Sequence, residues 1–448
     1  MKFFTESAAR CAARLGTLSE LERLPGVAFE TPLLLVYTKR GSVPHLTKDV
    51  LQMLTKEQQF LNVSLPSTVT MLEAIKQVNS FGEFVSMKEY PTLLSIQDPS
   101  EVTNRGYQKG NSIAVWSKNG RHSLNPDTYM DLVEAFKPDM YMALCDGDTN
   151  ESSSAKRVDK AVERSKQQFT KCLERHRASK VMRSRGLLGP IEGGYDKEAR
   201  EQSVKYLRDK ELEGYVIDGL HTNGGEVQNI TFEKIRDVVE HTLNLLPVDK
   251  MKVSMGCWNP VVVLSLIELG VDVFDSSYPY VVTESSKALT FMCGGHDHPD
   301  RKPGFEMSVA EKCFADDFSP ICESCECLTC KNHTRAYLNH LCHTRELLGR
   351  VLLMIHNTHQ YLEFFKAIRE NLKNETFETF KSIVAAHQFV KRRMNRIDRL
   401  QLSYRTVCAQ IYSVSALGAM PARSFQRLFT ADHALLKNSM INVTVVRY

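Results

Sequence analysis

Short apolar runs separated by longer amphipathic tracts dominate the chain up to Phe274. The runs fall at 32–37, 91–96, 112–116, 140–144, 187–191, 215–217, 252–255 and 271–274. Each is too short for a helix and is bounded by polar or glycine-containing segments, which marks a buried strand. Between most of them lie helix-like stretches at 127–136, 152–177, 196–208, 231–246 and 259–269. The first opens on Asn125 as cap and Pro126 as first helical residue, where proline's missing amide costs nothing. Strand followed by helix, repeated, requires parallel pairing with crossovers. These strands, over roughly 250 residues, fit an α/β fold closed as a (β/α)8 TIM barrel; a doubly wound open sheet is the alternative.

In a barrel, chemistry collects where strands end. Leu144 runs into Cys145-Asp146-Gly147-Asp148, Ile191 into Glu192-Gly193-Gly194, Ile217 into Asp218-Gly219-Leu220, and Phe274 into Asp275-Ser276-Ser277. Plain readings stand beside functional ones. Asp275 can cap the turn after its strand, Asp146 and Asp148 suit a simple turn about Gly147, and the glycines serve tight strand-to-helix connections.

Beyond the strands the pattern changes. Cys325, Cys327 and Cys330 form a C-x-C-x-x-C cluster followed by His333 and, after a helix-like stretch, His356. Three thiolates from one turn can occupy three corners of a tetrahedral zinc ion while an imidazole takes the fourth. Four soft ligands leave no open position for water, so the site reads as architectural. Spacing alone does not choose between His333, which can reach from the same turn, and His356, which needs the chain to fold back; Cys322 is a spare thiol. The bland reading is a set of ordinary reduced thiols. The tract 332–372 reads as one long helix with His356 near its far end, and its apolar stripe Leu347–Ile355 as barrel or interface core.

Length and composition narrow the class. The 448 residues can bury a barrel core and a second small module. Twelve cysteines, irregularly spaced outside the cluster, do not resemble a secreted disulfide framework, and no apolar stretch approaches the roughly 18 residues of a membrane span. A soluble intracellular protein is expected. Arg10 and Arg14 among alanines faintly resemble a mitochondrial presequence, against which stand Glu6 and the folded pattern from Gly16. The net charge of +4 means that any nucleic-acid partner must meet a local patch. One basic run, through Lys391, Arg392, Arg393, Arg396, Arg399 and Arg405, lies in a ragged C-terminal extension, 389–448, and reads first as a solvated helix face.

Taken together, several segments resemble the tRNA-guanine transglycosylase family, most of all its eukaryotic non-catalytic branch. The likeness covers roughly Gly16 to Gln388. It rests on Cys325-Glu326-Cys327-Leu328-Thr329-Cys330, on His333-Thr334-Arg335-Ala336-Tyr337-Leu338, on Leu353-Met354-Ile355-His356-Asn357 and on Gly270-Val271-Asp272-Val273-Phe274-Asp275. Glu192-Gly193-Gly194, Asp218-Gly219-Leu220, Met255-Gly256 and Met142-Ala143-Leu144 add to it. The resemblance implies a (β/α)8 barrel over 1–388 with an inserted zinc subdomain at about 313–360 that packs against a partner barrel. It implies one structural Zn2+ per chain held by Cys325, Cys327, Cys330 and His356. Family enzymes exchange guanine for queuine at the anticodon wobble position, with one aspartate as nucleophile and another for proton transfer. Asp275 matches the nucleophile.

The rest of the family pocket is altered. The Asp-Ser-Gly-Gly-Phe-Gln segment of catalytic members has Asp98-Pro99-Ser100-Glu101 as its nearest counterpart. A base-recognising glutamine is replaced by Glu192, which as a carboxylate accepts but cannot donate. Cys145 displaces the base-recognising aspartate to Asp146. The arginine-bearing stretch after the nucleophile reads Tyr280-Val281-Val282-Thr283-Glu284, without the phosphate-binding forks. The expectation is a non-catalytic subunit of a heterodimer, Asp275 being vestigial, which meets tRNA through the complex. It would sit in the cytoplasm or peripherally on the mitochondrial outer membrane, as relatives can. A self-sufficient base-exchange enzyme using Asp275 and a zinc-stabilised RNA-binding scaffold are the alternatives.

Overall fold

The structure, a computed structural model, describes residues 1–8, 12–293 and 304–387. Eight parallel strands close into a barrel: Leu33–Thr38, Phe60–Ser64, Thr92–Ser95, Met140–Met142, Gly186–Ile191, Gly214–Ile217, Met251–Ser254 and Val273–Asp275. Each pairs with the next in sequence, and the eighth pairs with the first, Val273 opposite Leu33 and Asp275 opposite Leu35. The open sheet is thereby excluded. Closure leaves no free strand edge, so the apolar strand residues face either the barrel interior or the surrounding helices.

Two strand assignments differ from the sequence pattern. The run at 112–116 is no barrel strand: Ile113–Ser117 pairs antiparallel with Gly120–Leu124 in a separate hairpin. Its place is taken by Phe60–Ser64, whose apolar pattern is broken by Asn62 and Ser64, both fully buried. Inward-facing polar residues hid this strand.

The far end of the barrel is sealed by an N-terminal sheet of Lys2–Ala8, Arg14–Ser19 and Phe29–Thr31. Arg14 is buried and grips Asp272 with both ends of its guanidinium, Nε to Oδ1 at 2.8 Å and Nη2 to Oδ2 at 2.7 Å. Asp272 also accepts the Lys252 amide at 2.7 Å, so one bidentate pair ties the first segment to the last two barrel strands. Arg14 thus serves the fold.

After the eighth strand and its helix, Ser277–Glu284, the chain leaves the barrel. It forms a hairpin of Lys287–Leu289 and Glu306–Ser308, then helices Leu328–Asn332, Arg335–Thr344 and Leu347–Lys373. The expected single helix over 332–372 is therefore broken twice. Thr334 caps the second helix through its side chain, and Arg345 turns the chain with a left-handed φ of 59°. The third helix carries two cores. Leu352, Leu353, Met354 and Ile355 join a cluster with the cysteines, Leu338 and Leu341, packed on Val36 and Leu61 of the first two strands. Tyr361, Phe364, Phe365 and Ile368 join the main barrel core. His356 lies between the two, in the helix's first half rather than near its end. The second core also takes in Ala288, Cys293 and Met307, ahead of the expected start near 313. The basic run from Lys391 lies outside the described residues, as does Arg10.

Candidate metal centre and barrel mouth

Cys327 caps the short helix Leu328–Asn332, its sulfur accepting the Cys330 amide at 3.3 Å, so this one turn aims the motif thiols at a common point. His356 enters from the long helix. Its Nδ1 stands 3.7 Å from Cys325 Sγ, 3.6 Å from Cys327 Sγ and 3.3 Å from Cys330 Sγ. All four donor atoms lie within 4.8 Å of one another and all four residues are buried. On the far side of the ring, Nε2 lies 2.8 Å from the Leu289 carbonyl. Since a carbonyl only accepts, that contact puts the proton on Nε2 and leaves Nδ1 with its lone pair facing the sulfurs, the outer-shell device that orients metal-binding imidazoles. The cluster can bind a metal ion.

The other candidates are placed elsewhere. His333 stacks on Tyr337, with ring centroids 5.5 Å apart. Cys322 is not a spare thiol: it is joined to Cys293 in a disulfide, Cα atoms 5.7 Å apart. The stripe Leu347–Ile355 divides, because Leu347 is 76% and Leu348 42% exposed whereas Leu352 and Ile355 are buried. Beside the metal cluster, Val50, Met53 and Leu54 of helix Lys48–Leu54 line a groove of about 260 Å³ with Cys327, Leu328 and Lys331.

At the barrel mouth the carboxylates are already engaged. Asp275 is buried; Oδ2 accepts the Gly256 amide at 2.6 Å and Oδ1 the Ser277 amide at 2.7 Å. Burial lifts its pKa to about 6 against the pull of Ser277 and Gly256. Asp98 is more fully engaged. It accepts the Tyr37 hydroxyl at 2.9 Å, the Ser64 hydroxyl at 2.9 Å, and the Ser100 amide and hydroxyl at 3.0 and 2.9 Å. Its pKa too is raised by burial.

The segment after Asp98 crosses the mouth. Pro99 O accepts the Gly224 amide at 3.1 Å and lies 3.2 Å from Cys257 Sγ; the Thr103 amide donates to Thr222 O at 2.8 Å. Tyr280 stacks on Tyr37 at 5.3 Å, with the Lys39 ammonium 5.1 Å from its centroid. Glu284 pairs with His45 at 2.7 Å. The stretch that holds arginines in the enzymes is spent here on internal contacts.

Asp146 and Asp148 do more than shape a turn. Both form ion pairs with Arg157, and Asp146 also accepts hydrogen bonds from Arg157 and Arg164, both arginines from helix Ala155–Ala178. Asp148 further accepts the Gly106 amide at 3.0 Å. These arginines were not singled out from the sequence, since a cation on an amphipathic helix carries no mark of burial. Arg200 is a second such case. Fully buried on helix Lys197–Leu207, it donates to the carbonyls of Gly194 at 2.9 Å, Ile191 at 2.7 Å and Asp218 at 2.7 Å. Gly219 has φ of +73°, as a tight turn requires, and it also makes room: a Cβ there would stand 2.6 Å from Glu192 Oε2. Glu192 and Asp218 are both pushed upward in pKa, first by burial and, for Glu192, next by the charge of Asp218.

A family model described as queuine tRNA-ribosyltransferase matches residues 9–389. The chain is 42% identical over 382 residues to the queuine tRNA-ribosyltransferase accessory subunit 2 of Culex quinquefasciatus, covering 84% of this chain and 89% of that protein. It is 39% identical to the proteins of the same name from Aedes aegypti, over 84% of this chain and 90% of the relative, and from Anopheles gambiae, over 87% and 91%.

Proposed function

The chain belongs to the queuine tRNA-ribosyltransferase family, and from that membership we propose that it is the non-catalytic subunit of a heterodimeric enzyme. The catalytic partner exchanges guanine for queuine at wobble position 34 of tRNAs with GUN anticodons. The observation that carries this reading is the state of the two aspartates. A nucleophile needs a lone pair free to approach the ribose carbon, and a proton-transfer group needs reach to the base. Asp275 has both oxygens tied to backbone amides, and Asp98 is held by three hydroxyls and an amide, under a segment that crosses the mouth. Asp98, with four donors on it, is not free to transfer a proton, and Asp275, which keeps lone pairs beyond its two amides, has no such partner to work with.

The contribution to the pair is then one of shape. A tRNA is much larger than one barrel mouth, so a second barrel can orient it through backbone contacts without reacting. We assign one structural zinc to Cys325, Cys327, Cys330 and His356. With Zn–S near 2.3 Å and Zn–N near 2.0–2.1 Å, a tetrahedron has S···N edges of about 3.5 Å, and the observed edges of 3.3–3.7 Å support that ion. The groove beside Cys327, where exposed Met53 and Leu328 stand next to Glu326, Lys331 and His359, offers the catalytic subunit a mixed apolar and polar seat that depends on the metal loop. The domain organisation follows: a barrel through about 388 with its zinc insert, then the 389–448 extension. No helix among the described residues is long and apolar enough to cross a membrane, and residence in the cytoplasm or peripherally on the mitochondrial outer membrane fits that.

Base-exchange assays with labelled guanine on each purified chain and on the co-expressed pair test the reading. The isolated chain should give no exchange above background, and the pair should be active. Exchange by this chain alone would sink it.

A further inference from the structure

We propose that Cys145, Glu192 and Asp218 form a second divalent-cation site, inside the barrel mouth and apart from the Cys325–His356 cluster. The three residues follow neighbouring strands, Met140–Met142, Gly186–Ile191 and Gly214–Ile217, at their C-terminal ends. Their donor atoms lie within 4.8 Å of one another. Cys145 Sγ stands 3.7 Å from Asp218 Oδ2. Around an ion with metal–sulfur near 2.3 Å and metal–oxygen near 2.0–2.2 Å, a tetrahedral edge is about 3.5 Å, so the observed spacing suits shared coordination.

Glu192 is the independent sign that something is to be bound. It is fully buried, and as a carboxylate it has no hydrogen-bond donor among the described residues other than the Cys145 thiol and a proton shared with Asp218, the two groups that would ligate the ion with it. A buried carboxylate left without donors costs several kcal/mol, so such groups are paired or hold a cation. Two glycines keep the volume clear. A Cβ on Gly147 would collide with the Asp218 carboxylate, and one on Gly219 would meet Glu192 Oε2.

Charge and ligand softness identify the class of ion. A thiolate and two carboxylates carry three negative charges, and Arg200, whose guanidinium is spent on backbone carbonyls nearby, supplies one positive charge. A divalent cation brings the group to neutrality. Mixed sulfur and oxygen donors suit zinc, whereas magnesium and calcium take oxygen alone. Held there, the ion locks three strand ends together on the floor where the family resemblance places base recognition. The site does not depend on the accessory-subunit reading; failure of one leaves the other standing.

The test is zinc stoichiometry of the full chain by plasma mass spectrometry, after zinc loading and dialysis against metal-free buffer. The parent should hold about two zinc ions, and Glu192→Gln and Asp218→Asn should each hold about one, with unchanged circular dichroism. If either variant fails to fold, Cys145→Ser provides the same readout. A parent with a single zinc, its carboxyl pair holding only a shared proton, overturns the proposal. So does a second zinc that persists in the variants.

Discussion

Cys327→Ala should empty the metal centre and unfold the module around it while leaving the barrel standing. Losing this thiol removes one of four donors and the sulfur that caps Leu328–Asn332, so two thiolates and an imidazole remain to face one another while buried. Structural zinc contributes apparent free energies of about 10–16 kcal/mol in small peptides. That is comparable with the whole stability of an ordinary domain, about 5–15 kcal/mol. The insert should therefore lose its fold outright. Zinc content at this centre should fall to none, proteolytic cleavage within 304–346 should rise at least about tenfold, and the catalytic partner should no longer co-purify. The barrel has its own core, including Phe364 and Phe365 on the second half of the helix that carries His356, so most helical signal should persist. A Cys327→Ala protein that binds its partner normally with the metal gone would remove the centre's architectural role.

Arg200→Ala should be the most damaging single change in the barrel itself. Its guanidinium satisfies three carbonyls from two strand ends and sits beside the Glu192 and Asp218 carboxyls. Truncation leaves the Gly194 and Asp218 carbonyls without donors, leaves the Ile191 carbonyl with only the Asp218 amide, and removes the positive charge beside Glu192 and Asp218. Breaking a buried charged network in this way costs about 3–5 kcal/mol, a large share of the margin given above. Arg200→Lys should rescue little, because one ammonium replaces a planar fork that reaches three points. A clear drop in the urea midpoint of the barrel transition for both variants is expected. A midpoint for Arg200→Ala equal to the parent's would show that these hydrogen bonds do not matter.

The barrel was legible in the sequence because parallel strands buried on both sides read as short continuous apolar runs. It failed where that rule fails. Phe60–Ser64 puts Asn62 and Ser64 in the interior, and the 112–116 run earns its apolar residues from a hairpin instead. The break at Arg345 was hidden because a left-handed helix end is normally signalled by glycine, and none stands there. The three thiols could be read from spacing alone; the imidazole could not, since His356 reaches them only when the chain folds back across Leu289. Asp275 was placed by resemblance, but its engagement with Gly256 and Ser277, the ion pairs of the half-buried Arg157 and Arg164, and the burial of Arg200 are products of tertiary packing that no local pattern encodes.

The central claim is that this chain shapes the enzyme without reacting. Family chemistry passes through a covalent bond between an aspartate and the tRNA ribose, so the intermediate can be trapped on the working pair by denaturing it during turnover. Separating the two chains on a denaturing gel, with labelled tRNA, shows which one carries RNA. Label on the catalytic partner alone is the predicted result; tRNA attached to this chain at Asp275 would contradict the account.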